Sequence, residues 1–330
     1  MGKTQGNILI IGGSGFIGAN LIKRLYNQKC KIVVFAKNTD HLFLNGLKIK
    51  RIKGDVRNYD SVLKAVKGCE YVYHLAACSL NTQKDKEKIF GVNVLGTENV
   101  MRACLACNVK KVVHVSSSAV FGFSKSKKTK LNEKDNLDFK DNLYAQSKKL
   151  GEDMVRFYVN KGLNATIVNP SYVIGAGEID SARFVLYQSI ANGRIKLVFP
   201  GGGGNVAVED LVEGMLLALK SGKAGERYIL STNNVSLYHF YNLVARLLKR
   251  PKIKIKIPRI LYYPMYGLGL ILKQTMKNSA LTPETVRWHF NFKYFDNYKA
   301  KKELGWKPKI RLEESIKRTI KYYKAIGLIK

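Results

Sequence analysis

Tyr144 and Lys148 stand four residues apart in Leu143-Tyr144-Ala145-Gln146-Ser147-Lys148, and three serines, Ser116-Ser117-Ser118, lie upstream at the end of an apolar run. On a helix, positions i and i+4 share one face, so the phenol and the ammonium point the same way. A free tyrosine titrates near pH ~10 and is a poor base at neutral pH. A fixed cation beside it favours the phenolate and makes proton transfer to or from a substrate hydroxyl feasible. Bringing the phenol to neutrality asks about 4 kcal/mol of the surroundings, at ~1.4 kcal/mol per decade. Tyr-x-x-x-Lys alone is also an ordinary exposed pair. The weight falls on the elements that would position it.

The first of these is at the N-terminus. Asn7-Ile8-Leu9-Ile10-Ile11 is a continuous apolar run, as expected of a parallel strand buried on both faces. It enters Gly12-Gly13-Ser14-Gly15-Phe16-Ile17-Gly18, and an amphipathic stretch follows over 19–27. Gly13, Gly15 and Gly18 have the Gly-x-Gly-x-x-Gly spacing in a strand-to-helix context. The first glycine is expected to permit the tight turn and the second to let the backbone approach a pyrophosphate. The third allows helix and strand to pack closely, with the helix N-terminus facing the anion.

A chain of 330 residues with 46% hydrophobic content can hold two domains, or one α/β domain with an appended lobe. The leading residues lack an apolar signal region, and no uncharged segment approaches the ~18 residues of a membrane span. Cys30, Cys69, Cys78, Cys104 and Cys107 read as free thiols of a cytoplasmic protein. Cys104 and Cys107 have Cys-x-x-Cys spacing, but inside an expected helix and with no second pair, so no metal site is expected. The net charge of +33 permits attraction to anionic partners. Its lysines are spread along the chain and no nucleic-acid-binding motif accompanies them, so a nucleic-acid role is not supported.

Alternating apolar runs and helical stretches predict βαβ units and a parallel sheet. Strands are expected at 7–12, 31–36, 48–53, 71–75, 110–115 and 165–169, and helices at 15–28, 59–67, 86–107 and 143–161. Residues 124–142 read as a surface loop. In the second half, 176–204 predicts a helix followed by a mobile glycine loop, Gly201-Gly202-Gly203-Gly204. A helix at 211–221 and a strand at 226–230 come next. Residues 252–257 alternate lysine and isoleucine as a strand would. The uncharged segment 260–272, broken by Pro264, would either roof a pocket or rest on a membrane surface.

With these features in place, the chain resembles the extended short-chain dehydrogenase/reductase superfamily of NAD(P)-dependent sugar epimerases and dehydratases, over nearly its whole length. Further segments match that family's signatures. They are Gly54-Asp55-Val56 after the third strand, where an Asp meets the adenine, and His74-Leu75-Ala76-Ala77 at the end of the fourth. Asn93 to Asn99 matches the helix that buttresses the active site, and Asn169-Pro170-Ser171 the end of the sixth strand on the nicotinamide side. The resemblance implies a Rossmann-type doubly wound sheet over 1–170 and a smaller C-terminal α/β substrate lobe over 171–330, interleaved with the sheet. Aligned on Gly122, Ser117 takes the place of the catalytic serine, with Ser118 the alternative one register away. The 4,6-dehydratases carry Thr-Asp-Glu here; this chain has no acid, which disfavours dehydration. Asn-Pro-Ser and Gly225-Glu-Arg-Tyr-Ile-Leu230 look instead like the dihydroflavonol-reductase-like branch, which takes in hopanoid-associated sugar epimerases and lies near 3β-hydroxysteroid dehydrogenases. Where that branch carries a histidine in His-Val-Asp-Asp, Ala207 stands here.

The resemblance therefore implies an oxidoreductase that interconverts a secondary alcohol and a carbonyl on a small molecule, with a nucleotide-sugar epimerase as the alternative. Ser117, Tyr144 and Lys148 would be catalytic. Gly12, Gly13, Gly15, Phe16, Ile17, Gly18, Lys37, Asp55, Val56, Leu75, Ala76, Ala77, Asn93, Pro170 and Ser171, with Tyr144 and Lys148, would meet the cofactor. An acid at the end of the second strand would bind the ribose of NAD. Ala36 sits there and Lys37 follows, which favours NADP, with NAD the alternative. Helices 86–107 and 143–161, through residues such as Val94, Val100, Leu105, Met154 and Val155, are expected to pair across a two-fold axis as a homodimer.

Overall fold

Every side chain of β1 (Ile8–Ile11) is buried, because the strand lies inside a parallel sheet covered on both faces. Ile8 and Ile10 face a core with α1 (Phe16–Asn27), while Leu9 and Ile11 face a second core on the other side. Each such burial contributes about 1.5–3 kcal/mol. The structure, a computed structural model, describes residues 6–80, 82–124, 126–136, 142–179, 182–276 and 281–329. The reading of residues 1–5 as lacking a signal region, and residues 137–141 of the expected loop, lie outside these.

The first half follows the expected alternation. After α1 come β2 (Ile32–Ala36), β3 (Lys50–Lys53), α2 (Tyr59–Val66), β4 (Tyr71–His74), α3 (Lys86–Phe90), α4 (Gly96–Ala106), β5 (Lys111–Val115), α5 (Leu143–Val159) and β6 (Ala165–Pro170). The second half adds β7 (Tyr172–Ile174), α6 (Ala182–Ala191), β8 (Leu197–Val198), β9 (Gly202–Ala207), α7 (Val208–Ser221), β10 (Arg227–Leu230), β11 (Asn233–Ser236) and α8 (Leu237–Leu247). β12 (Ile255–Lys256), α9 (Tyr262–Thr275), α10 (Pro283–Phe290), β13 (Phe292–Lys293), α11 (Tyr298–Leu304) and α12 (Leu312–Ala325) complete the chain.

Seven strands form one parallel sheet in the order β10-β6-β5-β4-β1-β2-β3. Chain direction across the sheet reverses between β1 and β4. A crevice opens at the carboxyl ends there, the place where doubly wound folds bind ligands. α1, α7 and α11 cover one face, and α2, α4 and α5 the other. Cys104 is fully buried in the second core, so its cysteine pair serves packing. β10 returns to the sheet from beyond residue 170, beside β6, and α7 packs against β5 and β6 of the same sheet.

Three expectations are corrected. The glycine run is no mobile loop: Gly202–Gly204 open β9, which pairs with β11, β13 and β7 in a second sheet. Two of these glycines admit close neighbours, since a Cβ on Gly202 would lie 2.7 Å from the Val235 carbonyl oxygen and one on Gly204 2.7 Å from the Phe295 ring. The helix expected over 86–107 is interrupted by a π-helical turn at Gly91–Leu95. The strand expected at 252–257 shrinks to Ile255–Lys256, which pairs only with two-residue β8, and Ile255 is exposed rather than turned inward. Segment 260–272 lies largely in α9, whose only buried residue is Gly269.

Candidate active site

α5 is started by Asn142, whose side chain accepts a hydrogen bond from the Ala145 amide at 2.8 Å. Tyr144 therefore sits in the first turn, where the positive end of the helix dipole adds to whatever favours a phenolate. One turn on, Lys148 is fully buried and donates to the Val115 carbonyl oxygen, 2.9 Å away at the end of β5. Two residues further, Ser117 accepts from the Ala119 amide at 3.1 Å and so caps the short 3-10 turn Ser118–Phe121 against which α5 packs. That bond uses an oxygen lone pair and leaves the Ser117 hydroxyl hydrogen to donate. The three residues expected to be catalytic thus share one corner. Ser118, the alternative, is buried and borders the adjoining cavity.

Charge in this corner is arranged around Lys148. Burial lowers its ammonium from 10.5 to about 8, and the Glu152 carboxylate one turn along opposes the fall. Glu152 is itself fully buried; it accepts from the Asn169 amide at 2.6 Å and lies 3.4 Å from the Arg227 guanidinium. Asn169 also donates to the Ser117 carbonyl oxygen at 3.1 Å. His74 and His114, with ring centroids 5.1 Å apart, are held neutral: burial and then the Lys148 charge push His74 to about 3 and His114 well below its usual value. Glu152 was missed in the sequence, although its spacing of four from Lys148 is the signal that could have found it.

The π-helical turn supports α5 from below. Asn93 is 1% exposed and spends its amide on the Cys78 carbonyl oxygen (2.9 Å), the Cys78 amide (2.7 Å) and the Ser147 hydroxyl (2.8 Å). Ser147 in turn donates to the Tyr144 carbonyl oxygen at 2.8 Å. Asn93 therefore buttresses the site, and its side chain is not available as the cofactor contact expected of it.

The crevice at β1 and β4 can be tested for a dinucleotide by asking what each glycine admits. Gly12 has φ +78°, and a Cβ there would lie 2.6 Å from the Ala76 amide nitrogen. The tight turn is thus made at Gly12, one residue before the expected Gly13, which instead packs against Ile10, Ile22 and Val34. A Cβ on Gly18 would meet the Gly12 carbonyl oxygen at 2.7 Å, so helix and strand need that glycine. Gly15 is different: it is exposed, and its Cβ would find only the Gly12 carbonyl oxygen at 3.4 Å. Among the described residues nothing requires a glycine there, and the open space leaves the backbone accessible to an external group. Gly15 also caps α1 without a side-chain bond, and the first turn, with Phe16 and Ile17, carries no acid. The residues fit a pyrophosphate.

Leu75 is anchored by its amide to the Ile11 carbonyl oxygen at 2.8 Å, which places half-buried Ala76 and exposed Ala77 on the crevice's far wall. At its outer end Lys37 lies 2.9 Å from the Asp55 carboxylate, which Arg57 also grips at 2.7 Å. Burial alone would raise the Asp55 carboxyl, but the Arg57 and Lys37 contacts hold it well below the usual range. Val56, Pro170 and Ser171 are buried: Val56 packs against Gly96, and the Ser171 hydroxyl reaches the Leu230 carbonyl oxygen at 3.5 Å.

Beside Ser118 lies a cavity of about 320 Å³, floored by Gly202, Gly203 and Gly204 and walled by side chains such as Tyr172, Phe240, Tyr241 and Trp288. None of these aromatic walls was read in the sequence.

The family model described as "NAD dependent epimerase/dehydratase family" matches residues 8–231. Among curated relatives, "Sterol demethylase protein B" of Methylococcus capsulatus is 29% identical over 91% of this chain and 93% of its own. "3beta-hydroxysteroid-dehydrogenase/decarboxylase isoform 1" of Arabidopsis thaliana is 30% identical, over 96% of this chain and 80% of its own. Among solved structures, UDP-glucose 4-epimerase of Thermotoga maritima superposes with a TM-score of 0.80 at 20% identity, covering 97% of this chain and 99% of that one, a likeness of fold.

Proposed function

We propose that this chain, which belongs to the NAD dependent epimerase/dehydratase family, is an oxidoreductase that interconverts a secondary alcohol and a carbonyl on an apolar cyclic small molecule, with NADP(H) preferred. The family and its relatives make it an enzyme of nicotinamide-dependent oxidoreduction or epimerisation. The single observation that favours an oxidoreductase of apolar substrates is the cavity. Among the described residues that line it, aromatic and aliphatic side chains dominate, and neither an arginine nor a carboxylate is present. A nucleotide-sugar would bring a diphosphate that asks for bidentate cations and a sugar that asks for polar walls. Sterol and hydroxysteroid relatives point the same way.

The nicotinamide, when bound, supplies or accepts the hydride. Tyr144 gives or takes the hydroxyl proton of the substrate at its phenolic oxygen. Lys148 and the N-terminal dipole of α5 favour the phenolate that this transfer requires. Ser117 donates its hydroxyl hydrogen to the substrate oxygen, where negative charge develops. Gly12, Gly15, Phe16 and Ile17 would hold the pyrophosphate through the crevice and the α1 N-terminus.

For the cofactor, Ala36 offers no carboxylate to a ribose hydroxyl and none to repel a 2′-phosphate. Lys37 and Arg57 share the single carboxylate of Asp55, so the rim keeps a positive excess. The reading of the chemistry is tested by Tyr144→Phe with steroid and other cyclic alcohols as probes. Turnover should fall by at least ~10²-fold while nucleotide binding stays within twofold or so. Full activity in that variant would sink the assignment.

A further inference from the structure

α9 has two unlike faces. One is spent on α10. The Tyr262 ring meets the Phe290 ring edge-on with 5.6 Å between centroids, and the Tyr266 hydroxyl accepts from the Arg287 guanidinium at 3.3 Å. Gly269 lets the two helices touch, since a Cβ there would lie 3.0 Å from the Pro283 backbone nitrogen. Lys273, the one charged residue within α9, pairs with Glu284 of α10. Tyr262, Tyr266, Gly269 and Lys273 follow one another at steps of four, three and four residues, which is one side of a helix.

The opposite side has no such partner. Ile260, in the turn before the helix, is 82% exposed and Tyr263 80%, and Leu268, Leu270 and Ile271 are exposed with them. None of these five is charged. Single apolar side chains on a surface are ordinary, but a continuous stripe of them on a helix already anchored by its other face marks a contact site.

The charge around the stripe selects what covers it. Lys252, Lys254 and Lys256 are exposed in the segment that leads into α9, and residues 252–276 contain no Asp or Glu. A second copy of this face would be repelled by like charge. A nucleic acid would answer the lysines and leave the apolar stripe in water, and a wholly apolar partner would do the reverse. An anionic lipid surface offers both the charge and the apolar layer. Among the described residues no helix is long and apolar enough to cross a membrane, so the contact would be peripheral.

We propose that α9 docks on an anionic phospholipid surface, with Tyr263, Leu268 and Ile271 at the acyl boundary and Lys252, Lys254 and Lys256 among the headgroups. An isolated interfacial helix needs a polar face toward water; here the protein takes that place, because α10 holds the inner face. α10 also carries Trp288 and His289 of the cavity wall, so the docked face stands one helix away from the cavity. The proposal rests on this surface alone and does not require the activity proposed above.

The full chain is sedimented with phosphatidylcholine vesicles with and without phosphatidylserine, across a salt series. Binding should require phosphatidylserine and fall with salt. The triple change of Lys252, Lys254 and Lys256 to Gln should weaken it about 10²-fold, near fivefold per lysine. Arg259 is left in place because it donates to the Phe290 carbonyl oxygen at 2.9 Å and so holds the segment to α10. Ile260→Glu with Ile271→Glu should abolish binding while light-scattering mass and thermal unfolding stay unchanged. If that pair unfolds, Ile260→Gln with Ile271→Gln replaces it and should weaken binding at least about tenfold. Binding to neither vesicle or salt-insensitive binding to both overturns the proposal. So does vesicle binding that survives the changes at Ile260 and Ile271, which would make the lysines a general polyanion surface. A fall in mass in those variants would assign the stripe to self-association and overturn it as well.

Discussion

Replacing Lys148 by Met should make the protein more stable and far less active. Burial takes the Lys148 ammonium from 10.5 to about 8. At ~1.4 kcal/mol per decade, that difference weighs about 3 kcal/mol against the charged side chain at neutral pH. Met keeps the apolar stem and removes the charge. It also strips the Val115 carbonyl oxygen of its donor at 2.9 Å, a loss of about 1 kcal/mol. The expected gain at pH 7 is therefore about 2 kcal/mol. Its pH dependence follows from the sign. Because the folded value lies below the unfolded one, the unfolded chain holds more protons between about pH 8 and 10.5. The native protein's handicap is complete below that window and disappears through it. His74 and His114 titrate far below this window and do not contribute to it. Urea unfolding of both proteins without nucleotide, at pH 7 and near pH 10, measures the difference. The advantage of the variant should shrink toward zero or reverse at the higher pH, while turnover is down at least ~10²-fold throughout. A variant less stable at pH 7, or a gain that ignores pH, would refute the reasoning.

Other expectations are narrower. Gly15→Ala should fold with stability within about 1 kcal/mol of the native protein, because its Cβ meets only one atom at 3.4 Å, yet lose at least tenfold or so in nucleotide affinity by isothermal titration. Gly18→Ala, whose Cβ would meet backbone at 2.7 Å, should instead show its damage in the unfolding midpoint. Ala36→Asp should swing preference from NADP(H) toward NAD(H) by placing a carboxylate against the 2′-phosphate; tighter binding of NAD(H) by the native protein would show Lys37 to be occupied with Asp55 alone. A homodimer remains our expectation, with two of the residues first named replaced at its interface. Val100 and Val155 are spent in the core, whereas Leu95, Leu150 and Phe157 are exposed on the helix pair. Light scattering should give a two-chain mass that Leu150→Glu halves.

What could be read in the sequence was what repeats or is local. Apolar runs gave the strands of the first half apart from β3, which is charged along Lys50–Lys53, and the glycine spacing marked the strand-to-helix turn at the crevice, although the turn itself is made one residue earlier than expected. Tyr144 and Lys148 were legible because helix geometry fixes their relation. The misses are long-range. Gly202–Gly204 looks like a loop because glycine has low strand propensity, yet neighbours from β11 and β13 that crowd out side chains override propensity. The segment 260–272 left a pocket roof and a membrane surface open, and composition alone cannot tell them apart; in the structure most of α9 is exposed or half-buried.

The floor of the cavity has a consequence for how this enzyme could diversify. Of the three glycines that open β9, Gly202 and Gly204 are fixed by their neighbours, but a Cβ on Gly203 would meet nothing within 4 Å and its φ lies outside the left-handed region. That position opens onto the cavity. The central strand of the second sheet thus carries a dial: alanine, serine or valine at residue 203 would raise the floor by a methyl, a hydroxyl or a branch, with no demand on the backbone. Selectivity among ligands of different thickness can then drift by single substitutions, leaving proton transfer at Tyr144 and the crevice at Gly15 as they are.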